Sequence, residues 1–134
     1  MSGAASNYLE LKLLDHALGT ATFTKPSAVY VALFTADPDE AGAFTNEISA
    51  TGTGYARKLV TFSGAASGSA TSSATVTFDT ATANWGTITH LAICDSATRG
   101  AGNQLFNGPV TTSKIIETGD TFQITAGNLT VSMD

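Results

Sequence analysis

The sequence predicts a mainly β protein: a single jelly-roll-like β-sandwich of about seven to eight strands with one N-terminal α-helix. Only one stretch, near the N-terminus, carries apolar residues at helical spacing. Beyond Pro26, short apolar or alternating runs are separated by Gly, Asn, Asp and Ser, which is typical of strands joined by turns. We therefore predict one domain over residues 1–134, with a helix at 7–18 and the sandwich at 28–133.

Composition excludes several functional classes. The charged fraction is 13%, against about 25% in average proteins, and Thr, Ser, Ala and Gly replace the missing charges. The net charge of -5 disfavours nucleic acid, since only Arg57 and Lys58 are adjacent basic residues. No signal peptide is evident, and no apolar run approaches the roughly 18 residues of a membrane span. We expect a soluble chain, made in a cytoplasm, that binds no membrane.

The helix is predicted from its apolar spacing and its end signals. Its apolar positions are Tyr8, Leu11, Leu14 and Leu18. Asn7 is the expected N-cap, with Glu10 completing a capping box, and Gly19 is placed to end the helix in a left-handed conformation. The apolar stripe should cover a sheet, either of this chain or of a neighbour. If it covers a neighbour, residues 1–18 contribute to attachment more than to the β core.

The first predicted strand, residues 28–34, is apolar on both faces and should be central and buried. Residues 35–54 form a long acidic loop with turn residues. The next strand is predicted at 55–62. Residues 63–73 have low complexity and are expected to form a flexible surface loop.

Later strands are predicted at residues 74–79, 86–95, 104–110, 121–125 and 129–133. Gly108-Pro109 interrupts one of them, which indicates an edge or a bulge. Apolar residues alternate with polar ones in each of the last two strands, but the two alternations are out of phase by one residue. A tight hairpin or a bulge at residues 126–128 would bring the apolar side chains of both strands to the same face of the sheet.

One strand concentrates residues that often carry chemistry, namely Trp85, His90 and Cys94. Cys94 and His90 would share a face but lie about 13 Å apart at ~3.3 Å per residue, beyond hydrogen-bond reach. We therefore interpret Cys94 as a small core residue and His90 as a structural one. Trp85 precedes a glycine at a turn, and we expect its indole N–H to bond a loop carbonyl.

The remaining residue patterns match no known cofactor, metal or catalytic motif. We therefore predict that the protein has no cofactor and no metal site and is not an enzyme. The acidic loop contains Asp37, Asp39, Glu40 and Glu47, but Pro38 and the ligand order do not match an EF-hand. A loose calcium site is the alternative to a solvated acidic loop, which we favour. The glycine-rich segments lack the lysine and following helix of a phosphate loop.

A resemblance covers nearly the whole chain. Its phrases are E-L-K-L-L-D-H, V-Y-V-A-L-F-T with Asp-Pro beyond it, G-Y-A-R, W-G-T-I-T-H, and a closing G-D-T-F with A-G-N-L-T-V. In these the chain resembles a family of small tailed-bacteriophage virion structural proteins, whose members are often labelled tail fibre proteins. The resemblance implies a place in the virion, on the particle surface, and no enzymatic activity.

Two roles follow from that resemblance. The first, which we favour, is a capsid decoration, or cement, protein that binds the outer head surface as an oligomer and stabilises the shell, with a trimer favoured and the major capsid protein or other virion proteins as partners. The second is a tail-fibre or baseplate module that binds a host receptor or glycan through exposed aromatics such as Trp85, Tyr55 or Phe44. A phage lysin is disfavoured because no catalytic set is found. Predicted structural or interaction anchors are Tyr8, Leu11, Leu14, Leu18, Tyr55, Arg57, Trp85 and His90.

Overall fold

The structure, a computed structural model, describes the backbone of residues 2–133 and the side chains of residues 4–133. It is mainly β with one helix, which confirms the predicted fold class. The two end positions of the predicted range 1–134 lie outside the described residues. The elements are β1 (Ser2–Ala5), α1 (Asn7–Ala17), β2 (Val29–Phe34), β3 (Lys58–Val60), β4 (Ser69–Thr71), β5 (Val76–Thr77), β6 (Gly86–Cys94), β7 (Gln104–Ile116), β8 (Gln123–Ile124) and β9 (Thr130–Ser132).

Seven strands form one sheet in the order β3-β2-β6-β7-β1-β9-β4, and β5 pairs with β8 in a second, small sheet. The large sheet curls until its two edges meet beyond the ends of β3 and β4. There Phe62 bridges Ser72, and Ser73 N–H donates to the Thr61 carbonyl at 2.8 Å. This closure leaves few unpaired edge groups, and the folded-over sheet encloses the core much as the layers of a sandwich do.

Strand β2 is buried on both faces, as its wholly apolar sequence predicts. Val31 and Leu33 point into the main core, where they meet residues of β5, β6 and β8. Ala32 and Phe34 point the other way, into a second cluster with Cys94. The sheet is therefore covered on its outer face at this point, and the long loop that follows β2 supplies the cover.

An aromatic group fixes one end of the core around Trp85. Its ring lies edge-on to Tyr55 at 5.6 Å and to Phe78 at 6.4 Å between centroids. The indole N–H donates to the Thr53 carbonyl at 2.8 Å. The loop hydrogen bond expected of Trp85 is thus present, and it ties the end of the long loop to the start of β6.

Strand β7 is longer than predicted and continuous through Gly108-Pro109. Ile88 pairs with Lys114 but His90 pairs with Pro109, so β7 carries extra residues between these two pairs. This is a bulge, one of the two predicted alternatives. A proline is tolerated at a bulge because the hydrogen-bond ladder is interrupted there, so the N–H that proline lacks is not needed.

Two segments differ from their predictions. The low-complexity stretch 63–73 is not wholly a loop, since β4 lies within it and pairs with β9. The 126–128 segment is neither a bulge nor a hairpin between paired strands. It is a turn that carries the chain from the small sheet to the large one. In this turn Asn128 N–H donates to the Thr125 carbonyl at 2.9 Å, and Gly127 has a φ of +84°.

The first strand was not predicted. β1 lies inside the sheet, antiparallel to β7 on one side and parallel to β9 on the other. Residues 2–5 therefore belong to the β core, so the expectation that the N-terminal segment serves attachment more than folding does not hold for β1.

The N-cap of the helix lies one residue earlier than predicted. Ser6, not Asn7, is the N-cap, and its hydroxyl accepts from Leu9 N–H at 3.3 Å and donates to the Gln104 carbonyl. This shift places Glu10 outside the capping-box position. The C-terminal end is as predicted: Gly19 is left-handed at φ +80°, and Thr20 N–H donates to the Asp15 carbonyl at 2.8 Å, as in a Schellman motif.

Burial raises the pKa of the Cys94 thiol to about 12, so the thiolate is scarce at neutral pH. We expect iodoacetamide to leave Cys94 unmodified in the folded protein at pH 8 and to alkylate it fully in denaturant. Intact-mass spectrometry measures the extent of labelling. Rapid labelling of the folded chain would contradict the buried placement.

Candidate interaction surface

Glu47 is fully enclosed, although it belongs to the loop predicted to be solvated. Arg57 donates to both of its carboxylate oxygens, Nε to Oε2 at 2.8 Å and Nη2 to Oε1 at 2.9 Å. Tyr55 Oη donates to Oε2 at 2.7 Å, and Gly100 N–H donates to Oε1 at 2.9 Å. Both oxygens therefore accept two hydrogen bonds, and the charge pair is satisfied without water.

The same cluster reaches a second loop, residues 95–103. The remaining guanidinium nitrogen of Arg57 donates to the carbonyls of Ser96 and Ala101, at 2.8 and 3.0 Å. From that second loop Arg99 donates back to the carbonyls of Glu47 and Ile48, at 2.7 and 3.0 Å. Two arginines thus cross-link two loops that are far apart in sequence.

The pKa values of two residues in this cluster, Tyr55 and Arg57, are raised. Burial, reinforced by the charge of Glu47, raises the pKa of Tyr55, which keeps its hydroxyl protonated and donating. Burial, the largest single influence, would lower the pKa of Arg57, but the hydrogen bond to Glu47 and the neighbouring acidic groups together outweigh it and raise that pKa. These groups act as a brace, since every one of them is already bonded to the protein and closed to solvent.

The acidic loop divides into two kinds of residue. Asp37, Asp39 and Glu40 are exposed as predicted, whereas Glu47 is buried, so the prediction of a solvated loop is wrong for Glu47. Within residues 2–133, no three His, Cys, Asp or Glu side chains converge to hold a metal ion. In the same described part of the chain, no helix has the length and apolar character needed to cross a bilayer.

Three of the predicted anchors lie inside the protein. Tyr55, Arg57 and Trp85 are all buried, so they hold the frame together and present no surface to a partner. The proposed row of exposed aromatics for a glycan is therefore wrong for Tyr55 and Trp85. Phe44 is half-buried, with the Arg57 guanidinium 4.9 Å from its ring centroid. His90 is also half-buried, with Nδ1 2.9 Å from the hydroxyl oxygen of the adjacent Thr89.

The helical anchors lie at the surface. Leu11, Leu14 and Leu18 are 64%, 56% and 74% exposed, and within α1 only Leu9 is buried. Tyr8 is half-buried, with Lys12 Nζ 5.8 Å from its ring centroid. The apolar stripe predicted from the sequence therefore exists, but this chain does not cover it. We call Leu11, Leu14 and Leu18 the leucine stripe.

The brace predicts a large penalty for losing one partner. We expect Glu47→Gln to lower the free energy of unfolding by about 3–5 kcal/mol, because Arg57 would be left as an uncompensated buried charge. Chemical denaturation measures this loss. The exposed Glu40→Gln in the same loop is the matched control and should change stability by less than about 0.5 kcal/mol. Equal effects of the two substitutions would contradict the structural role of Glu47.

Comparison with known proteins identifies the family. The model of the family described as Podophage GP4 fiber I protein gp80 matches residues 4–132, nearly the whole chain. A comparison with curated proteins gave no match. The family match confirms the resemblance to small tailed-phage virion proteins. The chain belongs to the Podophage GP4 fiber I protein gp80 family and is a bacteriophage structural protein of the fibre type.

Proposed function

We propose that the protein is a non-catalytic subunit of a phage fibre and that it is held in the virion through the leucine stripe of α1. The exposure of that stripe is the observation that carries the proposal. The family description supports the fibre role, which the sequence offered as the alternative to capsid decoration.

Burial of the stripe supplies the driving force for attachment. Fully burying a leucine side chain stabilises by about 1.5–3 kcal/mol relative to leaving it exposed. Three such residues on one face of a helix supply a driving force for attachment, and the cost of binding is smaller when the helix is already ordered. The helix is already ordered by its Ser6 cap, its Gly19 terminus and the buried Leu9.

The absence of catalysis is part of the proposal. The groups that could carry chemistry are used in folding: Glu47, Tyr55 and Arg57 bond one another, and the pKa of Cys94 is raised by burial. A fibre subunit acts through its contacts, and oligomerisation would multiply weak contacts into firm attachment. The trimer suggested by the sequence stays a prediction.

Capsid decoration makes a different quantitative prediction. A decoration protein is present in numbers close to those of the major capsid protein, its partner in that case, whereas a fibre subunit is far scarcer. Quantitative mass spectrometry of purified virions gives the ratio of the two chains. We expect a low ratio, and a ratio near one would favour decoration.

The leucine stripe is tested by substitution in the phage. We expect the triple variant Leu11→Ser, Leu14→Ser, Leu18→Ser to remain folded and its copy number per virion to fall about tenfold or more, since tenfold corresponds to only about 1.4 kcal/mol of binding. Immunoblotting of purified particles measures incorporation, and circular dichroism of the isolated protein verifies the fold.

The matched control uses exposed apolar residues elsewhere on the surface. Leu59 on β3 and Ile115 on β7 are 55% and 65% exposed. We expect Leu59→Ser and Ile115→Ser to be incorporated at the wild-type level. Normal incorporation of the triple variant, or an equal loss in the controls, would overturn the proposed attachment.

A further inference from the structure

A groove runs beside the inner edge of the leucine stripe, between α1 and the sheet. It has a volume of about 600 Å³. Its apolar wall consists of Ala4, Ala5, Leu13, Leu14, Ala17 and Met133. Two carboxylates, Glu10 on α1 and Glu40 on the long loop, line it as well. We call this hollow the helix groove.

A second hollow opens at one end of the curled sheet, and we call it the sheet mouth. Its volume is about 530 Å³. Its wall is built from five strands, β2, β4, β6, β7 and β9, and from the segment that precedes β4. The wall includes Val29, Phe62, Ala70, Ile93, Phe106 and Val131. No charged side chain lines it among the described residues, so it offers water very few partners.

The two hollows lie next to each other. Ser132 and Met133 line both, and Met133 is 44% exposed where they join. Leu14 belongs both to the groove and to the leucine stripe. An occupant seated on the stripe can therefore continue into the groove and on into the mouth. Each hollow is large enough for a few side chains, and two such hollows side by side would suit an extended chain segment.

Charge selects the kind of segment. Within residues 2–133, neither Glu10 nor Glu40 takes part in an ion pair, and both are exposed. The helix of a second copy carries two carboxylates, Glu10 and Asp15, against one lysine, Lys12, and the chain as a whole carries a net charge of -5. Like charges facing each other across an interface disfavour self-docking, whereas a basic segment would be attracted.

Building on the proposed attachment through α1, we infer that the helix groove and the sheet mouth together receive one segment of another virion protein. That segment carries Lys or Arg opposite Glu10 and Glu40 and large apolar side chains that enter the sheet mouth. The leucine stripe provides most of the attachment, and the helix groove and the sheet mouth determine which partner binds.

Synthetic peptides of matched length test this inference on the full chain. The first peptide alternates Leu and Lys, so that it has one apolar face and one basic face. The second has Glu in place of Lys, and the third has Ser in place of Leu. Fluorescence anisotropy of the labelled peptides measures binding. We expect only the Leu/Lys peptide to bind. Equal binding of the Ser/Lys peptide would show attraction to net charge alone and would overturn the inference.

Substitutions then locate the binding. We expect the double variant Glu10→Gln, Glu40→Gln to weaken binding of the Leu/Lys peptide about tenfold, and Met133→Lys to weaken it by at least as much. The matched controls are Glu117→Gln, an exposed carboxylate outside both hollows, and Ile115→Lys, an exposed apolar residue on β7. Both should bind the peptide as the wild type does.

Two further results would overturn the inference. Unchanged peptide binding in the folded Met133→Lys variant would exclude the shared junction. Self-association in sedimentation that Met133→Lys abolishes would make a second copy the occupant. The proposed function is judged separately by virion incorporation of the leucine-stripe variant, so loss of incorporation without peptide binding would leave the function standing and remove only the inference.

Discussion

The buried ion pair between Glu47 and Arg57 is the interaction on which the outer layer of this protein depends. A loop of some twenty residues without regular structure is costly to order, because each residue fixed loses about 1–2 kcal/mol of backbone entropy. Here Arg57, paired with Glu47, donates to two carbonyls of residues 95–103, and Arg99 of that segment donates back to the carbonyls of Glu47 and Ile48. The ordered loop then covers the outer face of β2, which lets Ala32 and Phe34 be as deeply buried as the residues facing the main core.

This constraint determines where contacts with other proteins can form. The aromatic and charged residues that would suit a binding loop, Tyr55, Arg57 and Trp85, are used internally to hold the frame. Three of the exposed large apolar side chains lie together at the N-terminal helix, whose ends are fixed but whose leucine stripe no other described residue covers. A rigid frame with one unsatisfied apolar face suits a subunit of a larger particle, and membership of a phage fibre family agrees with that arrangement.

Local signals predicted the features that local physics controls. Helical spacing and Gly19 located α1, the apolar run located β2, and the glycine after Trp85 indicated a turn where the indole bonds a loop. Features set by distant partners were not predictable. Glu47 is one of four acids in its loop, and only the folded position of Arg57 separates it from its exposed neighbours. Likewise, Ser2–Ala5 has no periodicity of its own, and β7 and β9 make it a strand.

The periodicity of α1 revealed an apolar stripe but could not say which molecule covers it, since a stripe facing its own sheet has the same pattern. Hydrogen–deuterium exchange of the free protein and of the protein in assembled virions measures that cover directly. The account predicts that assembly slows amide exchange across residues 7–18 and leaves the loop at residues 35–54 unchanged. Slowed exchange in that loop, with α1 exchanging as fast as in the free protein, would contradict it.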